Sequence, residues 1–304
     1  SFIHPKGVNL LLILLFLSNQ SILVTQSPIT LENKIIHPES AVLNPNNLDA
    51  LEKPSPSIKK PKDFPTLLSG AKELSEYRTS SSAIYQVGDK QYAALMSTEP
   101  IHYQDIEGKW QVSDPSFIQA DESFIVVQNA IQSRAGRQEA WLSAAIGEIA
   151  FSWEAHSLVA VPPNGKSIML SEALLEPQEF ANLNASNQVL TYKNGWDDPS
   201  LEEQLISTSE SLEHVLVLNQ APAPQKEALQ YLELQATLEL FPGASLWADD
   251  QPIQNENQPV QSLQVRKEDG TPLLVFEPVL AFEKNNPSHS ILGNYSVSPG
   301  PAPN

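Results

Sequence analysis

Tyr231-Leu232-Glu233-Leu234-Gln235-Ala236-Thr237-Leu238-Glu239-Leu240 sets an apolar residue at nearly every second position, with Glu233, Gln235, Thr237 and Glu239 between them. Successive side chains of an extended chain point to opposite faces, so this stretch is predicted to be a β-strand with one face on a core and the other toward water. The same alternation appears in shorter pieces on both sides. Leu263 to Arg266 and Leu273 to Phe276 bracket Glu268-Asp269-Gly270, a hairpin signature, because glycine adopts the positive φ that tight antiparallel turns require. Leu201 to Ser207 and His214 to Leu218 form another pair of short apolar runs.

Toward the amino terminus the pattern continues. Ala83 to Val87 and Gln91 to Met96 flank Gly88-Asp89, and His102 to Gln104 and Lys109 to Val112 flank Glu107-Gly108. Trp141 to Ile146 and Glu148 to Trp153 flank Gly147. Strands separated by turn residues, with no long helix alternating between them, predict an antiparallel all-β sandwich, one large or two abutting, over residues 66–298. The one helical spacing, Leu67, Leu68, Ala71 and Leu74, predicts a short helix leading into it.

The ends read differently. Lys6 followed by an apolar run from Leu10 to Leu17 and a polar stretch from Ser18 has the layout of a signal peptide over residues 1–26, and is short of the roughly 20 residues a spanning helix needs. Seven prolines between Pro28 and Pro65, with Lys53, Lys59, Lys60 and Lys62 among them, predict a disordered linker over residues 27–65. The closing Pro299-Gly300-Pro301-Ala302-Pro303-Asn304 reads as the start of a linker toward further domains, expected as partners in the same polypeptide.

Composition narrows the function. The 304 residues hold 18 Lys plus Arg against 36 Asp plus Glu, a net charge of −18 that repels phosphate backbones and anionic headgroups, so neither nucleic acid nor a membrane beyond the leader is expected as partner. With no cysteine there is no disulfide, thiolate metal site or cysteine nucleophile. No two of the six histidines lie at metal-ligand spacing, no glycine loop suits a phosphate, and no serine sits in a nucleophile elbow, so no catalytic residue, metal or cofactor is expected.

Three arrangements carry a possible chemistry. His102 near Asp105 would suit proton transfer if the carboxylate oriented the imidazole, but adjacent strand positions point apart. Asp197-Asp198 and Asp249-Asp250 are carboxylate pairs in turns, able to serve calcium or, brought together, glycoside cleavage, although turns select Asp for local hydrogen bonds alone. Trp196, in a polar loop, and Trp247, beside Asp249, are the candidates for stacking on a sugar, against the common use of tryptophan as core volume.

The segment from Glu73 through Arg78, Tyr85 and Tyr92 to Pro100-Ile101-His102-Tyr103 and Gly108-Lys109-Trp110 resembles the amino-terminal module of bacterial secreted and cell-surface proteins that carry DNRLRE domains or RHS (YD) repeats. Leu190 to Asn194, Leu212 to Leu218 and Pro272 to Pro278 resemble later phrases of that module in the same order, over roughly residues 73 to 280. Glu213-His214 stands where the family has Lys-Glu, and Asn194-Gly195 where it has Asn-Val. The resemblance implies a non-catalytic structural module at the start of an exported bacterial surface protein, with a cell-surface glycan or protein as a possible partner. The alternatives are a carbohydrate-binding module and a fragment of a secreted glycoside hydrolase.

Overall fold

The computed structural model describes residues 6–15, 22–26, 68, 70–89, 91–137, 141–147, 149–163, 165–174, 181–220, 230–240, 242–248, 251–253, 259–283 and 286–299. It is an antiparallel all-β sandwich, as the alternation predicts. Strands β1 (Lys6–Leu15) and β2 (Ile22–Gln26) come first. Then β3 (Lys72–Glu73), β4 (Ser82–Gly88) and β5 (Gln91–Met96) make a three-stranded sheet, and β6 (His102–Gln104) and β7 (Trp110–Val112) a hairpin. Strands β8 (Ile118–Ala120), β9 (Ser123–Val126), β10 (Gln132–Gly136), β11 (Leu142–Ile146) and β12 (Ile149–Val161) run as a meander, with β13 (Ile168–Glu172) folded back on β12.

A second meander holds β14 (Asn182–Leu183), β15 (Val189–Tyr192), β16 (Leu201–Ser207) and β17 (Leu212–Leu218). The deciding strand, β18 (Tyr231–Leu240), returns to lie beside β12. Next, β19 (Ala244–Ala248), β20 (Gln251–Pro252), β21 (Leu263–Lys267) and β22 (Pro272–Phe276) form a four-stranded sheet. Last come β23 (Val279–Glu283), β24 (Asn286–Leu292) and β25 (Asn294–Pro299).

The main layers are a nine-stranded sheet, β25-β1-β18-β12-β11-β10-β9-β8 with β13 on β12, and a seven-stranded sheet, β14-β15-β16-β17-β2-β23-β24. One apolar cluster joins them to the four-stranded sheet: Leu158, Leu234 and Leu238 from the first, Leu205 and Leu216 from the second, Leu263, Leu274 and Phe276 from the third. Phe151 meets Phe276 edge-on at 6.1 Å, an aromatic pairing that fixes how the nine- and four-stranded sheets approach. Polar bonds cross the layers as well. Tyr192 Oη donates to the Gly136 carbonyl at 2.6 Å, and Asn129 Nδ2 donates to the Thr208 carbonyl at 2.7 Å.

One expectation needs correction. The helix expected near Leu67 to Tyr77 is instead the short strand β3 followed by a 3-10 turn over Ser75–Tyr77. Gly70 takes φ 79°, which breaks a helix, and Lys72 and Glu73 pair with Gln86 and Tyr85, a partnership that local periodicity does not encode. Within the stretch read as a leader, Lys6–Leu15 forms a strand between β18 and β25, and Ile22–Gln26 one between β17 and β23. The proline-rich 27–65 segment and the closing 300–304 lie outside the described residues.

Candidate functional site

Strand β16 alternates Leu201, Glu203, Leu205 and Ser207 onto the core face, so a carboxylate occupies a position that the strand's parity assigns to an apolar residue. Across the ladder Leu205 pairs with His214, which places Glu203 and His214 diagonally on neighbouring strands, within reach of each other's side chains. His214 Nε2 hydrogen-bonds Glu203 Oε1, and Trp196 Nε1 donates to Glu203 Oε2 at 3.1 Å. Glu203, His214 and Trp196 are only 2 %, 3 % and 2 % exposed. Above them, the Trp153 ring from the facing sheet lies 5.8 Å from the His214 ring. This is the one cluster of convergent ionisable side chains in the core of the described residues, and both carboxylate oxygens are engaged by protein donors.

A second polar cluster organises the amino-terminal strands. Glu73 on β3 accepts from Arg78 Nε at 2.6 Å and Nη2 at 3.0 Å, the two-pronged geometry that makes guanidinium–carboxylate pairs strong. Arg78 Nη1 also donates to the Trp110 carbonyl at 2.9 Å, tying this sheet to the β6–β7 hairpin. His102 Nδ1 donates to the Thr79 carbonyl at 2.8 Å, and its Nε2 lies 3.7 Å from Glu73 Oε1. The Arg78 hydrogen bonds hold the Glu73 carboxyl below its ordinary value against the opposing effect of burial, with the charges of Arg78 and His102 adding to the lowering. Glu73, Arg78, His102 and Trp110, separate words in the sequence, form one clasp.

Other sequence candidates fall elsewhere. His102 and Asp105 are not brought together: Asp105 accepts from the backbone of Glu107 and Lys109 and from Gln111 Nε2, locking the β6–β7 turn. Asp197 Oδ1 accepts from Ser171 Oγ and from the Glu172 backbone at 3.0 Å, and Asp198 Oδ1 from the Ser200 backbone at 2.8 Å, so both carboxylates serve their turn. The Ser171 bond holds Asp197 below the ordinary carboxylate value. Asp249 and Asp250 lie outside the described residues.

Trp196, expected exposed in a loop for stacking, is buried and bonded to Glu203, which leaves neither ring face for a sugar. Trp247 is half-buried on β19, with the Arg266 guanidinium 4.4 Å from its ring centroid and its Nε1 donating to Ser245 Oγ at 3.0 Å. One of its ring faces is therefore already covered by a cation.

Sequence reasoning passed over Glu203. The available signal was parity, because a Glu in phase with Leu201 and Leu205 is an acid placed on the core face of its strand. The chain matches no known family model, no curated relative and no solved structure.

Proposed function

We propose that the chain is a non-catalytic structural module of an exported bacterial surface protein, the role implied by its resemblance to the amino-terminal modules of DNRLRE- and RHS-type proteins. The observation that supports this reading is the buried Glu203–His214–Trp196 cluster, whose polar atoms bond one another on the core face of the seven-stranded sheet, against the Trp153 ring of the facing sheet. An acid and a base that act on a substrate must reach it, and these two face the interior.

The reading is tested by altering the pair. Removing one partner of a buried hydrogen bond leaves the other unsatisfied, so His214→Ala is expected to cost at least about 1–3 kcal/mol, whereas Glu203→Met with His214→Phe costs less than the single change. Fused ahead of a reporter domain and expressed in a bacterium, each variant should reach the cell surface in proportion to its folded fraction. A well-folded double variant absent from the surface, or the unaltered chain recovered in the cytoplasm, refutes the proposal.

A second reading, carbohydrate binding, is favoured by one surface. Ser245, Trp247, Gln264 and Arg266 share a face of the four-stranded sheet, an indole flanked by hydrogen-bonding groups. Glycan-array binding that Trp247→Ala abolishes would establish it.

A further inference from the structure

Strands β18 and β25 belong to one sheet but do not pair with each other. They are separated by the width of a single strand, and β1 lies between them. The two walls define what that position accepts. Beside positions 10, 12 and 14 stand Ala236, Leu234 and Leu232 on β18, and beside 10 and 12 stand Val297 and Tyr295 on β25, all buried and apolar. Beside positions 9, 11 and 13 stand Thr237, Gln235 and Glu233 on one wall and Ser298, Ser296 and Asn294 on the other, all polar.

A strand that fits both faces alternates apolar with polar residues. The run Leu10-Leu11-Leu12-Ile13-Leu14-Leu15 is apolar throughout and does not alternate as the two walls do, with position 11 registered to Gln235 and Ser296 and position 13 to Glu233 and Asn294. Burial pushes the Glu233 carboxyl up, and its hydrogen bond from Gln235 Nε2 at 2.7 Å opposes that only in part. A cation at position 13 would suit this carboxylate.

We propose that the gap between β18 and β25 is a strand-acceptor site, filled in the exported protein by an extended segment of another polypeptide that alternates apolar residues with basic or hydroxyl-bearing ones. Main-chain hydrogen bonds to both walls supply the affinity, and the alternation supplies the specificity. The proposal rests on the reading of the chain as an exported module whose leader, residues 1–26 with β1 and β2, is removed; removal bares the edges of β18 and β25, as it does those of β17 and β23.

The test uses the exported, processed chain as it is purified. Intact mass first shows whether residues 6–15 persist. Two labelled ten-residue peptides then copy Lys6–Leu15 with opposite phase, one with Leu11→Thr, Ile13→Lys and Leu15→Thr, the other with Leu10→Thr, Leu12→Lys and Leu14→Thr. Because a one-residue slip turns every side chain to the wrong face, the first should bind at least about tenfold more tightly than the second. It should also slow hydrogen exchange in β18 and β25 together, and Glu233→Gln should weaken it. If residues 6–15 persist, the leader reading and the proposal both fail. If they are gone and the peptides bind equally or not at all, or β18 is already protected without peptide, the proposal alone fails.

Discussion

Glu213 and Glu73 illustrate two opposite ways in which this fold treats a carboxylate. Glu213 lies on β17, next in sequence to the buried His214, and burial alone raises its carboxyl above the ordinary value. A raised carboxyl is a group whose ionised form the fold disfavours. Its penalty is absent below the unfolded-state value and fully present above the folded one, so stability falls as pH rises between them. Glu213→Gln is therefore expected to raise the melting temperature at pH 7, with the gain shrinking to nothing as the pH drops below the ordinary carboxylate range. Thermal melts across that range check it, and a gain that does not change with pH would show that charge is not the cause. Glu73 runs the other way. Its lowered carboxyl contributes stability at neutral pH that is lost as pH falls through the folded value, and its partial exposure keeps the contribution small and salt-sensitive.

Strand β18 shows what alternation accomplishes at the scale of an element. Leu232, Leu234, Ala236 and Leu238 are all at most 2 % exposed, while Gln235, Thr237 and Glu239 on the other face are half-buried. Leu234→Ala is expected to cost roughly 2–5 kcal/mol by combining lost transfer energy with a cavity, whereas Glu239→Thr should stay within about 0.5 kcal/mol. Urea unfolding of the two variants checks the contrast, and equal losses would mean that the strand is not read by face. This periodicity made the fold legible from the sequence, and the glycine-marked hairpins β4–β5, β6–β7, β11–β12 and β21–β22 lie where their turns indicate. What stayed hidden depends on partners distant in the chain. The pairing of Lys72 with Gln86 is invisible to a local window. The candidate site was less legible still, since Trp196 sits in a polar stretch of sequence yet is drawn into the core by an acid seven residues away.

The molecule as a whole divides unevenly. From β8 to β25 the three larger sheets share one continuous apolar cluster, so loss of any sheet exposes the others' buried faces, the condition for cooperative unfolding. The strands β3 to β7 stand outside that cluster. Among the described residues between 70 and 112 Ala83 and His102 are the ones buried, while Tyr77, Tyr92, Met96 and Ile106 are exposed. With so little apolar area withdrawn from water, this part is held mainly by the Glu73–Arg78–His102 clasp and by its junction with the body, where Ser113 Oγ donates to Asn129 Oδ1 at 2.8 Å. Hydrogen exchange should therefore find β4 and β5 opening at a free energy well below that of β12 and β18, in a unit that the body does not follow. Arg78→Ala should lower the protection of β4 through β7 together, because one guanidinium bridges Glu73 to the Trp110 carbonyl, and should leave β12 and β18 unchanged. Mass-resolved exchange at peptide level measures both quantities. Equal protection in the two regions, or a body that loosens when Arg78 is removed, would show that the amino-terminal strands fold as part of the sandwich instead of being fastened to it.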